Sequence, residues 1–161
     1  MTTEEFKFKI KSFDSIDELN KDDSQLLTEA RNVTKYAYAP YSKFRVGAFA
    51  RLLNGQTLSG TNQENASYPA GICAERTLLS AASSLFPGIG IETIAISYNN
   101  TRGRSDTPIS PCGICRQSLV EFQERTNTPI RLILSGMNGK VLIIENAANL
   151  LPLVFSANDI A

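Results

Sequence analysis

The sequence predicts an α/β protein: a three-layer α/β/α sandwich in which helices flank a five-stranded mixed sheet. Two hairpin signals, Asn54-Gly55 and Met137-Asn138-Gly139, each lie between runs of strand-forming residues, which gives antiparallel pairs. Helical stretches separate the remaining strands, and a strand-helix-strand crossover requires parallel strands. Finally, 161 residues of which 42% are apolar and 20% charged fit one domain with a substantial core.

Residues 1–22 read as an N-terminal extension of unknown role, ahead of a domain at 23–161. Within the extension Phe6, Phe8 and Ile10 alternate with Lys7, Lys9 and Lys11, the pattern of a short edge strand whose lysines discourage pairing with other chains. From Asp23 to about Ala37, Leu26, Leu27, Ala30, Val33 and Tyr36 recur at helical spacing, and Pro40 closes the segment. Arg45 to Leu53 and Thr57 to Thr61 then form a hairpin, with Asn54-Gly55 as a type I′ turn. Ile72 to about Phe86 is rich in Ala and Leu and stops at Pro87-Gly88, so a buried helix is expected. Glu92 to Tyr98 is a strand, and Asn99 to Ser110 is irregular. A helix follows from about Pro111, where proline suits the first turn, to Arg125. Ile130–Ser135 and Lys140–Ile144 pair across the second hairpin. Asn146 to Leu151 is a short helix stopped by Pro152, and a tail carries Phe155.

Composition narrows the function. Sixteen Lys and Arg against sixteen Asp and Glu give no net charge, which disfavours nucleic-acid and anionic-membrane partners. There is no histidine, so Ser-His or Cys-His nucleophile pairs and imidazole metal ligands are excluded. Three cysteines do not make a disulfide framework, the N-terminus lacks a signal peptide's apolar run, and no stretch is long enough for a membrane span; a cytoplasmic location is expected.

The cysteines carry the chemistry. Cys73-Ala74-Glu75 and Pro111-Cys112-Gly113-Ile114-Cys115 each open an expected helix, and in a helix-strand-helix unit both helix starts lie at one end of the sheet. The three-residue spacing puts Cys112 and Cys115 on one face of a first turn, where free N–H groups and the helix dipole favour thiolates. Three thiolates with no fourth ligand are the donor set of an open zinc site, one ion per chain, with Glu75 beside the open position. Read singly, the cysteines would be buried small apolar residues, Cys-x-x-Cys a redox pair, and Glu75 an ordinary first-turn acid.

This pattern resembles the zinc-dependent deaminases, in which Cys-x-Glu precedes Pro-Cys-x-x-Cys. Tyr41-Ser42-Lys43-Phe44-Arg45-Val46-Gly47-Ala48, Gly60-Thr61-Asn62-Gln63-Glu64-Asn65-Ala66-Ser67-Tyr68-Pro69, Cys73-Ala74-Glu75-Arg76 and Pro111-Cys112-Gly113-Ile114-Cys115-Arg116-Gln117 narrow it to the cytidine deaminases, over about Leu26 to Phe155. The resemblance implies hydrolytic deamination of cytidine and 2′-deoxycytidine in pyrimidine salvage. Zinc would acidify a water, and Glu75 would carry its proton to the pyrimidine ring and then to departing ammonia. Asn62 and Glu64 would hold ribose hydroxyls, and the Glu64 carboxylate would repel a 5′-phosphate. Phe44 would wall the pyrimidine, Ala66 and Ala74 would line the substrate, and the Ser110 carbonyl would accept the amine. Arg76 and Arg116, with Gln117 nearby, would temper the negative charge on the sulfurs.

The same resemblance implies a homotetramer, in which Tyr68 and Phe155 would act at a neighbouring subunit's site. Three other readings compete less well. A deaminase of bases within RNA or DNA needs a basic groove, a blasticidin-type deaminase should lack Phe-x-Val-Gly-Ala and Glu-Asn-Ala-Ser-Tyr-Pro, and a purely structural zinc module needs a fourth Cys or His that this sequence does not contain.

Overall fold

A computed structural model describes residues 1–160; Ala161, the last residue of the expected domain, lies outside them. The elements are β1 (Lys11–Phe13), α1 (Lys21–Val33), β2 (Phe44–Leu52), β3 (Thr57–Thr61), α2 (Ala74–Leu85), β4 (Ile91–Asn100), α3 (Gly113–Thr126), β5 (Arg131–Ser135) and β6 (Val141–Ile144), with short 3₁₀ turns between them. They form one sheet in the order β1-β6-β5-β4-β2-β3. β4 and β5 are parallel and every other neighbouring pair is antiparallel.

The pleat divides the core into the expected two layers. Leu132 and Leu134 of β5 join Ile94 and Ile96 of β4 under Leu78, Leu79 and Ala82 of α2 and Leu119 and Phe122 of α3. Ile133 and Ala95, one residue out of step, meet Leu26, Leu27 and Ala30 of α1 on the opposite face, as the two-residue period of a strand requires.

The sheet has six strands among the described residues, not the expected five. The added strand is β1, at the edge of the sheet, where Lys11 faces Ile143 and Phe13 faces Val141. Of residues 6–11, expected to form that edge strand, 6–10 are exposed and outside it; the ladder takes Lys11, Ser12 and Phe13, opposite Ile143, Leu142 and Val141. The turn at Asn54-Gly55 also differs from type I′. Gly55 takes a positive φ of 81° but Asn54 does not, Gly55 N–H donates to the Leu52 carbonyl and Leu52 N–H to Gln56. That is the three-residue type I turn with a glycine bulge.

The strand ends define the functional pole. β3 and β4 both run antiparallel to β2, so they end at the same edge, and α2 and α3 start there. Gly60 makes the first approach possible: a Cβ on it would lie 2.5 Å from the Leu78 nitrogen and closer still to the Ala74 carbonyl. The opening turn of α2 therefore rests directly on the end of β3.

Candidate active site

Cys73 and Cys112 are the N-cap residues of α2 and α3, both extended (φ −73°, ψ 155° and φ −67°, ψ 170°), and neither thiol caps its own helix. The helices thus begin one or two residues later than periodicity suggests, and Pro111 precedes the N-cap instead of occupying the first turn. In consequence the thiols are free to point together. Cys73 and Cys112 Sγ are 3.9 Å apart, Cys112 and Cys115 Sγ 3.5 Å, and all three lie within 4.8 Å of one another. Tetrahedral zinc with Zn–S bonds of about 2.3 Å needs sulfurs about 3.8 Å apart. The donor set fits one zinc ion in both chemistry and spacing.

Charge points the same way. A hydrogen bond from Cys115, which outweighs the opposing effects of burial and the Glu75 charge, brings the Cys73 thiol down to about 6. Cys115 is pushed up because it donates to Cys73 and is buried. Three thiolates brought this close would repel one another, and a cation among them offsets that charge. Glu75, 5% exposed, sits within hydrogen-bonding influence of Cys115, and burial pushes its carboxyl above the usual range.

A cleft of about 550 Å³ opens onto Cys73, lined also by Tyr41, Ser42, Asn62, Gln63, Glu64, Asn65, Tyr68, Gly71 and Ile72. Its floor is a backbone ladder: Gln63 and Ile72 exchange both bonds at 2.9 and 3.0 Å, while Tyr38 N–H donates to Asn62 and Glu64 N–H to Tyr38. The Asn62 amide accepts from Val46 N–H at 2.7 Å and donates to the Phe44 carbonyl at 2.9 Å. Glu64 accepts from Tyr41 N–H at 2.8 Å, from Ser42 N–H and from the Ser42 hydroxyl. Burial acts upward on Glu64, but these donors hold its carboxyl below the usual range. Asn62 and Glu64 both line the cleft, as do the intervening Gln63 and the following Asn65.

Of the other expected residues, Tyr68 lines this cleft. Phe44, half-buried at the start of β2, shares the α2/α3 face with Val46 and stacks on Tyr98. Ala74 is fully buried in the first turn of α2, and Ala66 and Ser110 are exposed. Arg76 bears on Cys73 through its charge. Arg116 corrects an expectation, because its guanidinium reaches oxygens and not sulfur: the Pro111 carbonyl at 2.9 Å, the Leu150 carbonyl at 3.1 Å and the Ser110 hydroxyl at 3.1 Å. It ties the irregular segment leading into Cys112 to the 3₁₀ turn Ala147–Leu150. Gln117 likewise turns away from the sulfurs and donates to the Phe155 carbonyl at 2.7 Å. Tyr68 and Phe155 are 77% and 61% exposed.

Sequence reasoning missed Thr77, whose hydroxyl lies 3.2 Å from both the Thr61 and Cys73 carbonyls and locks the α2 N-cap to β3. A threonine four residues after a cysteine at a helix start was the available signal. It also gave no role to Tyr41 and Ser42, although both stand within the quoted motif.

Residues 20–128 match the cytidine and deoxycytidylate deaminase zinc-binding region. A cytidine deaminase of Sporosarcina psychrophila is 35% identical over 140 residues, 87% of this chain and 96% of that protein. One from Halalkalibacterium halodurans is 36% identical over 138 residues, 86% and 97% respectively. The crystal structure of cytidine deaminase from Burkholderia pseudomallei is similar with a TM-score of 0.71 and 35% identity, covering 85% of this chain and all of that one.

Proposed function

The chain belongs to the cytidine and deoxycytidylate deaminase family, and from that premise we propose how its own residues hydrolyse cytidine to uridine and ammonia. The observation that carries the reading is the convergence of three thiols on one point, with a buried acid beside them and a cleft opening on Cys73. Cys73, Cys112 and Cys115 hold one zinc ion, which when bound supplies an acidified water as nucleophile. Glu75, not a ligand, takes a proton from that water and delivers it to N3 of the pyrimidine, making C4 electrophilic. The hydroxide this leaves adds to C4, and a second transfer through Glu75 moves the proton of the new hydroxyl to the exocyclic nitrogen, so that the C4–N bond breaks, ammonia leaves and C4 becomes the carbonyl of uridine. Burial suits Glu75 to this work, since a carboxyl raised toward neutrality both accepts and returns a proton.

Substrate is held, in this reading, by Glu64 and Asn62 at the sugar, Phe44 against the base, Ala66 and Ala74 along the base edge and the Ser110 carbonyl at the amine. The carboxylate of Glu64 favours neutral hydroxyls over a 5′-phosphate, so nucleosides are preferred to nucleotides. A site that reads the 3′-hydroxyl accepts ribose and 2′-deoxyribose alike. The catalytic unit is assigned to residues 23–161, and residues 1–22 to an extension.

Assembly is part of the proposal. Tyr68 and Phe155 are large aromatics facing solvent, and Leu85 and Ile114 are exposed aliphatics at the ends of the helix layer; a homotetramer would cover them and bring Phe155 to a neighbour's cleft. No helix among the described residues is long and apolar enough to cross a membrane, and a reducing cytoplasm would keep the thiols available to zinc.

Absorbance assays on cytidine, 2′-deoxycytidine, cytosine and cytidine 5′-monophosphate test the substrate reading. The two nucleosides should turn over comparably, with the base and the nucleotide far slower. Equal turnover of free cytosine would remove the sugar contacts from the account.

A further inference from the structure

The site description leaves one buried aromatic unused. Tyr98, on β4, is 4% exposed and faces Val46 across the β2/β4 ladder, two residues from Phe44. Its ring stacks on Phe44 with centroids 4.7 Å apart and planes inclined by 18°. This is the closest to parallel of the aromatic pairs among the described residues and sits at the short end of the favourable range. Phe44 is half-buried, so of the stacked pair it is Phe44 and not the tyrosine that keeps surface open to solvent. The tyrosine is itself fixed: its hydroxyl lies 3.3 Å from the Thr107 hydroxyl, on the loop that leads to Ser110 and Cys112. The backbone of Phe44 is held independently, with its N–H donating to the Ser42 hydroxyl at 3.0 Å and its carbonyl accepting from Asn62. What those bonds leave free is the ring's rotation, and the stacked Tyr98 face opposes that.

We propose that Tyr98 is a positioning residue which backs Phe44 and fixes the plane against which the pyrimidine stacks. This rests on the reading of Phe44 as the base wall. A ring held in place before the base arrives does not have to be ordered on binding, so the contribution falls on substrate affinity and leaves proton transfer at Glu75 untouched. The stacked surface carries it, and the hydroxyl only anchors the loop.

The test is a double-mutant cycle on the zinc-loaded enzyme. Tyr98→Leu should raise KM for cytidine about three- to tenfold, the size of an aromatic pair's contribution, with kcat within twofold. Tyr98→Phe should keep both constants within twofold. In a Phe44→Leu background, already raised in KM, Tyr98→Leu should add nothing, because the effect passes through Phe44. If Phe44→Leu leaves KM unchanged, the base-wall reading fails. If Phe44→Leu raises KM while Tyr98→Leu is silent or additive to it, Tyr98 does not act through Phe44 and the proposal fails alone. Should Tyr98→Leu not fold, the intact protein decides. With 3-fluorotyrosine incorporated, the ¹⁹F resonance lost in Tyr98→Phe should shift on adding uridine and stay still with methyl riboside, which lacks a base; no shift with saturating uridine would overturn the coupling.

Discussion

Gly60→Ala replaces no zinc ligand and should nonetheless weaken zinc binding. Its Cβ would stand 2.5 Å from the Leu78 nitrogen and nearer to the Ala74 carbonyl, whereas ordinary contact begins at 3.4 Å. Both obstacles are backbone of the first turns of α2, so no side chain can rotate aside, and the helix start must lift by about 1 Å, the shortfall in that contact, or β3 must yield. Overpacking of this kind costs about 1–3 kcal/mol in stability. The larger consequence falls on Cys73, which caps α2 and faces Cys112 at 3.9 Å. Zinc tolerates ligand-distance errors of about 0.2 Å, several times less than that shift. Loss of supporting geometry typically weakens metal binding about 10–100-fold, and the same range is expected for Gly60→Ala. Competition with a chromophoric chelator measures it, alongside the melting temperature. A variant that melts lower but holds zinc within twofold of the parent would show that the α2 contact on β3 does not set the sulfur geometry.

Glu75→Gln should keep one zinc per chain and the parent fold while losing about 10²–10⁴-fold in kcat; metal analysis paired with turnover checks both halves. Asp23 is 4% exposed and receives two bonds from Arg131 at 2.6 and 2.7 Å. Burial alone would raise its pKa, but Arg131 and Asn20 hold it below the ordinary value. A carboxyl lowered in the folded state stabilises above its unfolded pKa, near 4, and that stability is lost as pH falls through the folded value. Asp23→Asn should therefore cost about 2–3 kcal/mol at neutral pH, less than a fully buried pair because Arg131 keeps Glu145 at 3.3 Å. Denaturant titrations at pH 7 and pH 3 should show the parent and variant converging at the lower pH. For assembly, light scattering should give four times the 17.6 kDa chain. Mixed Glu75→Gln and Phe155→Ala chains, each impaired alone, should partly recover activity, and an active monomer would exclude the shared site.

The layers, the polarity of the helices and the convergence of the cysteines were legible because each follows from local pattern: the alternation of strand, helix and hairpin signals along the chain, helical period in Leu78, Leu79 and Ala82, and ligands at two helix starts. What escaped depends on partners distant in sequence. Arg116 carries the same charge whether it faces sulfur or carbonyl, and only the fold brings Leu150 within 3.1 Å of it. Alternation over residues 6–11 is clearer than in Lys11-Ser12-Phe13, but the pairing is set by contact with β6, a partner near the other end of the chain, which takes Lys11, Ser12 and Phe13. Asn54-Gly55 specified a hairpin correctly and its turn type incorrectly, since one glycine of positive φ serves two loop lengths.

The most direct test of the central claim is a zinc titration of chelator-stripped protein, followed by the absorbance change of cytidine conversion. Activity should be absent without metal, rise linearly and saturate at one zinc per chain, and no activity should return in Cys73→Ala, Cys112→Ala or Cys115→Ala. Turnover that persists in the stripped protein, or zinc that binds one per chain without producing uridine, would contradict it.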